Sequence, residues 1–352
     1  MAERARIAVI GTGWWATYTH IPAVQAHLEA ELVTLCDRDP DRLRAAADAY
    51  GVTRRYTDHR AMLAAETLDG VIIATPHATH YAVARDCLSH GLHVLLEKPM
   101  TLSAPEARDL VELARAQGRE LIIGYTHVFS PHALRARALV QSGALGPVQY
   151  VNCVFASRVI EFLRADPVPG LPSAVFPVHT PGAVYSQPAL SGGGQGHLQL
   201  THSTGLLFFV TGLRAERVHV VMRNHDLAVD LVDAMAVEFV GGALGSVGGT
   251  GNMFIPKFDL HIHCERGAVA LDMVAQTLTA RGRDIPDETL GPSDEDERAA
   301  RYATAGNLIA VIHGAANGSP AEVGWRSVEV LDAAYRSARA DGQAVTIASL
   351  YM

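Results

Sequence analysis

Lysine is almost missing from this 352-residue chain. Of its 29 basic residues only Lys98 and Lys257 are lysine, and the other 27 are arginine. GC-rich codon usage replaces surface lysines with arginine in this way, and the abundance of alanine agrees. A lysine that survives such drift is a candidate for a task a guanidinium cannot perform, because an ammonium is a compact charge that can shift its pKa. Cysteine is also scarce. Cys36, Cys87, Cys153 and Cys264 are scattered with no CxxC pair, which excludes a zinc ribbon or a dithiol centre and points to a reducing compartment. Positive charge is outweighed, with a formal net charge of -8, so neither a nucleic-acid footprint nor adhesion to an anionic membrane is expected. No apolar run reaches the roughly 18 residues of a membrane span, and residues 1–6 show no signal-peptide core. A soluble cytoplasmic protein is the expectation.

What is present is globular composition, 49% apolar and 19% charged, which excludes wholesale disorder. The length predicts two domains. Short apolar runs at 6–10, 31–36, 71–74, 92–96 and 121–124 read as buried parallel strands. They alternate with helical segments: one up to about residue 30, then 40–50, 80–89 and 104–117. Asp39 caps the 40–50 helix, and Ser103 with Glu106 reads as a capping box for the next. After a helix over 132–142 the pattern changes. Residues 148–156 alternate as a half-exposed strand. The proline-rich stretch 166–188 is long and irregular, as functional or subunit-contacting loops are. Residues 195–210 are helical. Strands over 217–273 are punctuated by Gly241-Gly242, Gly248-Gly249 and Glu265-Arg266-Gly267, which is antiparallel-sheet grammar. Residues 283–300 read as a polar surface loop, 327–340 as a helix and 344–347 as a last strand. The fold class expected is α/β: a doubly wound parallel sheet over 1–124, then an α+β domain with a large, open, mainly antiparallel sheet over 125–352.

Gly11-Thr12-Gly13-Trp14-Trp15-Ala16 follows the first strand and opens a helix. In such a G-x-G-x-x-A turn the first glycine permits the bend, the second lets a pyrophosphate approach, and the small sixth residue lets helix and strand pack. Free N–H groups at the helix start face the phosphates. Asp37 ends the next strand, 21 residues after Ala16, where a carboxylate takes both ribose hydroxyls of NAD. Asp37 repels the 2′-phosphate of NADP, whereas Arg38 can stack on adenine or pair with that phosphate. NAD is favoured over NADP. Trp14 and Trp15 pack over the cofactor, seal the domain junction or simply fill core.

Lys98 ends the fourth strand within Leu95-Leu96-Glu97-Lys98-Pro99, at the sheet edge where such folds bind ligands. With Gly11-Thr12-Gly13, Asp37, Ala74-Thr75-Pro76 and His80, Ser142-Gly143-Ala144-Leu145-Gly146, Gly192-Gly193-Gly194 followed eight residues later by His202, and 333–338, this run carries a resemblance. Over nearly its whole length the chain resembles the Gfo/Idh/MocA oxidoreductases, the glucose–fructose oxidoreductase and inositol dehydrogenase family. The resemblance implies hydride transfer between a nicotinamide cofactor and a hydroxyl or carbonyl of a sugar, amino sugar or cyclitol, including steps of aminoglycoside or deoxysugar biosynthesis. It implies that Thr75, Pro76 and His80 line the nicotinamide side, that Lys98 bonds the reacting hydroxyl with Glu97 fixing it, and that His202 is the base or the next proton acceptor. It also implies a homodimer or homotetramer, since an open sheet needs cover.

The chain departs from the family at two places. Where inositol dehydrogenases carry an aspartate four residues before the histidine, this chain has Leu198. Gln199 shares a helix face with His202 and is left to orient it or touch substrate. Thr126 and His127 stand where Asn and Arg are frequent, so Tyr125 and His127 are candidate substrate contacts for a ring unlike myo-inositol. The histidine pairs His77/His80, His127/His132 and His197/His202 lack metal-site spacing, and no metal is expected. The alternatives to a dehydrogenase are a non-catalytic cofactor-binding sensor on the same fold, an NADP-dependent ketosugar reductase, and an enzyme that keeps its cofactor and uses one sugar to reduce another.

Overall fold

In the computed structural model of the chain, residues 3–167, 178–292 and 297–352 are described. The first layer is a six-stranded parallel sheet made of β1 (Ala5–Ile10), β2 (Ala30–Cys36), β3 (Arg55–Tyr56), β4 (Gly70–Ile73), β5 (His93–Leu96) and β6 (Leu121–Ile123). Their order is β3-β2-β1-β4-β5-β6. Side chains alternate between faces, as the pleat requires. Ala8, Ile10, Val71, Ile73, Val94 and Leu96 enter one core, and Ile7, Val9, Ile72, Leu95 and Ile122 enter the other. The order in which strands are added reverses between β1 and β4, which opens a crevice at the carboxyl ends of the two strands.

The second core is closed by a helix from far along the chain. Glu297–Ile312 sends Ala305, Leu308 and Ile309 against Ile7, Val9 and Leu95. The expected polar loop over 283–300 is therefore corrected: β14 (Glu288–Leu290) crosses it and this helix begins inside it, while 293–296 lie outside the described residues. The charged first turn of the helix hides an apolar stripe that starts only at its middle.

The second layer is a nine-stranded sheet formed by β7 (Val148–Arg158), β8 (Ala215–Arg223), β9 (Val232–Phe239), β10 (Leu244–Thr250), β11 (Asn252–Cys264), β12 (Gly267–Asp272), β13 (Thr277–Gly282), β14 and β15 (Val345–Thr346). Its order is β14-β13-β12-β11-β7-β10-β9-β8-β15, antiparallel throughout except for the β10–β7 pair. Helices Pro131–Gln141, Thr201–Thr211 and Ala321–Arg339 pack against it. Phe254, Ile255, Val221 and Leu244 stand exposed on its strands. All four cysteines are free and buried.

Four local expectations are corrected. Gly248-Gly249 is not a turn but lies inside β10. There a Cβ on Gly249 would sit 1.7 Å from the Phe155 carbonyl oxygen, so the glycine serves close strand approach. The first helix ends at Ala26 rather than near residue 30, and the last long helix starts at Ala321 rather than 327. Ser103 makes no side-chain cap; Asp332 from the last long helix accepts the Ala104 N–H at 3.0 Å instead. Two glycines then respond oppositely to alanine. Gly249→Ala should destabilise by at least about 2 kcal/mol through overpacking. Gly306→Ala, on a helix where a Cβ meets nothing within 4 Å, should stabilise by up to about 1 kcal/mol. Thermal unfolding midpoints moving down and up, respectively, are the readout.

Candidate active site

The loop after β1 is shaped by Gly11, at φ 89°, where a Cβ would lie 2.5 Å from the Ala74 carbonyl oxygen. The helix that follows opens with a π-helical turn, Ala16–His20, before Ile21–Ala26. Wide turns of this kind recur at functional sites. Gly13 faces open space, the floor of a cavity of about 1020 Å³ that runs along the crevice. Asp37 stands in its wall and is only 7% exposed. The Thr12 backbone N–H and hydroxyl donate to its Oδ2 at 2.8 and 3.0 Å, and the Asp39 N–H donates to Oδ1 at 3.0 Å. Thr12 is thus a holder of Asp37, fully buried and off the cavity wall. Arg38 lies exposed at the outer rim.

The loops after β4 and β5 form the opposite wall. Thr75 and Pro76 line it, with the Thr79 hydroxyl donating to that of Thr75 at 2.8 Å. His80 braces the two loops: its Nδ1 lies 2.8 Å from the Pro99 carbonyl oxygen and its Nε2 2.9 Å from that of Thr75. Glu97 is tied down on every side. The Trp15 Nε1–H donates to its Oε1 at 2.8 Å, His20 Nε2 lies 2.8 Å from the same oxygen, and the Lys98 N–H donates to Oε2 at 3.2 Å. Burial pushes this carboxyl up, but His20, Lys98 and Trp15 together outweigh burial and hold it below its ordinary value. Lys98 extends from here across the cleft. Burial brings its ammonium down to about 8, with the Glu97 charge opposing the fall.

The second domain meets Lys98 through another π-helical turn, Gly196–Leu200, which continues as the helix Thr201–Thr211. Asp230 anchors its start: the Gly194 and Gly196 N–H groups each donate to the carboxylate at 2.7 Å, and the Tyr335 hydroxyl donates at 2.8 Å. The glycine run is packed so closely that a Cβ on Gly193 would lie 2.1 Å from the Tyr335 oxygen. Position 198, where the inositol-dehydrogenase pattern has an aspartate, acts through its backbone. The Leu198 side chain joins Ile160, Leu163, Val229 and Leu231, while its carbonyl oxygen accepts the Lys98 Nζ–H at 3.1 Å.

Gln199, His202 and His127 also line the cavity. The Gln199 Nε2–H donates to the Ser157 hydroxyl. Gln199 Oε1 and His202 Nδ1 are buried without a partner. The His127 and His202 rings meet edge to face at 5.3 Å. Burial and then the Lys98 charge hold His127 down to about 4 and His202 well below its ordinary value. Tyr125 is not on the wall. It lies fully buried beneath it, with its hydroxyl 3.1 Å from that of Thr201 and its ring 6.2 Å from that of His202. Gly205 leaves it that room.

The sequence singles out neither Phe155 nor the individual residues of the proline-rich stretch, which it marks only as a functional or subunit-contacting loop. Phe155 on the wall and Ser157, which holds Gln199 from behind it, continue the inward face of β7 past its core; strand alternation alone marks them. Residues 178–187, inside the proline-rich stretch, form a strap along the cavity. Val178 packs on the Rossmann core, His179 Nε2 lies 3.2 Å from the Arg42 carbonyl oxygen at one end, and the Trp14 Nε1–H donates to the Tyr185 hydroxyl at 3.2 Å at the other. Residues 168–177 of that stretch lie outside the described residues. The Trp14 ring also lies 6.0 Å from that of Phe162, tilted by 47°, so the tryptophan pair sits at the junction of the two domains.

The cavity lies at the upper end of the range for small-molecule sites, and the glycine turn, helix start and Asp37 suit a dinucleotide. Comparison with known proteins agrees. Residues 5–125 match the oxidoreductase family, NAD-binding Rossmann fold, and residues 133–270 match the GFO/IDH/MocA C-terminal domain. The chain is 36% identical over 162 residues to D-xylose 1-dehydrogenase (NADP(+)) 2 of Haloferax volcanii, spanning 45% of this chain and 49% of that protein. It is 33% identical over 153 residues to D-glucoside 3-dehydrogenase of Escherichia coli, spanning 44% and 43%. The aligned region is thus less than half of either relative. Among solved structures, GenD2 from gentamicin A biosynthesis in complex with NAD matches at TM-score 0.77 and 26% identity, over 98% of this chain and 97% of that one. An oxidoreductase domain protein from Kribbella flavida shares the fold at TM-score 0.82 and 22% identity, over 98% and 99% of the two chains. The chain belongs to the Gfo/Idh/MocA oxidoreductase family.

Proposed function

We propose that the protein is an NAD-dependent dehydrogenase acting on a secondary alcohol or ketone of a sugar-like ring. The observation that carries this reading is Lys98, an ammonium set into a cleft between a dinucleotide-type turn and an uncharged, imidazole-lined chamber. A nicotinamide dinucleotide bound along the crevice supplies the two-electron chemistry. The chain's residues supply the rest. Oxidation of a carbinol requires removal of the O–H proton and stabilisation of the developing oxygen charge. Lys98 meets both needs, bonding the reacting oxygen and exchanging its proton. Arginine would be bulkier and would keep its proton. His202, uncharged, hydrogen-bonds the same region and relays the proton outward.

For the cofactor, the buried Asp37 carboxylate favours a free 2′-hydroxyl over a 2′-phosphate. The open sheet face bearing Phe254 and Ile255 supports a homodimer or homotetramer, with a second copy as its cover. Among the described residues no helix is long and apolar enough to cross a membrane, and four free thiols suit the cytoplasm.

Two outcomes test the reading. Lys98→Ala should lower kcat by at least about 100-fold while NAD binding, read by tryptophan fluorescence, stays within about twofold; unchanged turnover contradicts the proposal. The amine form of Lys98 accepts the hydroxyl proton, so kcat/KM for alcohol oxidation should rise through an apparent pKa near 8. Ketone reduction should fall through the same value. His202 and His127 are held down, so no limb is expected near the ordinary imidazole value. For the cofactor, NAD should bind at least about tenfold more tightly than NADP, and Asp37→Ala should narrow that gap.

A further inference from the structure

The inner chamber is unusual in what its walls carry. Glu97 turns its oxygens to His20, Trp15 and its own neighbour's N–H and so offers an incoming cation little. His127 and His202 are neutral across the physiological range, because burial and the nearby ammonium disfavour their charged forms. The aspartate expected at position 198 is a leucine turned into an apolar cluster. Beside Gln199, His127 and His202 the charged side chain is Lys98, whose Nζ already donates to the Leu198 carbonyl; the other cations of the cavity wall lie elsewhere, Arg38 exposed, Arg42 beside Asp39 and Arg301 on the Tyr18 hydroxyl.

An ammonium group on the substrate would face Lys98 with no free carboxylate to offset the repulsion. A carboxylate or phosphate beside Lys98 would compete for the cation the reacting oxygen needs, since the arginines of the cavity wall are engaged elsewhere, Arg42 beside Asp39 and Arg301 on the Tyr18 hydroxyl and ring. Burying an ion without a dedicated partner is costly. Hydroxyls, in contrast, are provided for. Gln199, only 4% exposed, is clamped by Ser157 through its amide nitrogen, which leaves Oε1 as a buried acceptor without a donor. His202 Nδ1 is in the same condition nearby. Unsatisfied buried polar atoms in a binding site are places where a ligand completes the bonding. Phe155, stacked on Phe258 with centroids 4.4 Å apart, gives the chamber an apolar face for the C–H side of a ring.

We infer that the substrate is an uncharged polyhydroxylated ring, selected against its amino and carboxylate counterparts, and that Gln199, held by Ser157, is the specificity residue that takes one of its hydroxyls. The inference deepens the dehydrogenase reading and rests on it for the identity of the chamber.

The test is ligand-observed NMR competition on the NADH-loaded protein, with matched sets of probes: glucose, glucosamine, glucuronate and 2-deoxyglucose, and the galactose and mannose series alike. At least one neutral parent should bind, its amino and uronate partners at least tenfold more weakly, and one of its deoxy partners at least tenfold more weakly as well. Gln199→Leu should abolish the deoxy penalty and Gln199→Glu should narrow or invert the amino penalty, both with NADH binding retained. An amino sugar or a uronate that binds better than its parent overturns the inference, as does failure of every neutral probe to bind. Selective binding of a neutral ring without turnover would instead overturn the dehydrogenase reading and leave the selectivity standing. Turnover with a preference for the charged members would do the reverse.

Discussion

One hydrogen bond crosses the middle of the candidate site: the Lys98 ammonium on the Leu198 carbonyl oxygen, at 3.1 Å. One end is built from the parallel sheet, whose fifth strand delivers Glu97 and Lys98 to its carboxyl edge. The other is built from the second domain, where Asp230 and Tyr335 clamp the glycine run so that the π-helical turn over Gly196–Leu200 starts in one place. If either end shifted by the length of one bond, the ammonium would lose the backbone carbonyl that holds it. The networks behind it are correspondingly dense. Glu97 is immobilised by His20 and Trp15, both on the helix that follows the glycine turn, so the cofactor loop and the lysine loop are coupled through one carboxylate.

The chemistry follows from how few charges enter the cleft. A desolvated ammonium loses affinity for its proton, which brings Lys98 to about 8, near the range where a group can both give and take a proton. The same desolvation, reinforced by the ammonium, keeps the two imidazoles neutral. The leucine at position 198 turns into an apolar cluster and brings no carboxylate to the histidine. Two departures from the family pattern, Leu198 and His127, thus work in one electrostatic direction.

Much of the first domain was legible in the sequence because parallel strands buried on both faces leave continuous apolar runs, and because Asp39 and Gly51 mark both ends of one helix. Lys98, Asp37 and the glycine turn were legible for a chemical reason, since each needs a particular residue type at a particular strand end. What escaped depends on distant contacts. The helix Glu297–Ile312 closes a core nearly three hundred residues upstream. The cap on Ala104 comes from Asp332. The strap over 178–187 has no periodicity at all, and the wide turn that aims Leu198 through its carbonyl leaves no mark on side-chain pattern. Tyr125 and Thr12 show the limit from the other side, since both sit in the right loops yet support a wall residue instead of forming the wall.

The scarcity of lysine makes the central claim measurable. With all lysines labelled at Cε with carbon-13, the protein should give two side-chain signals, one for Lys98 and one for Lys257, whose exposed ion pair with Asp259 holds it above its ordinary value. A pH titration should move one signal through a midpoint near 8 and leave the other to titrate above 10.5. Two signals that titrate together in the ordinary lysine range would contradict the account, because Lys98 would then be a solvated surface charge rather than the proton-exchanging group of the cleft.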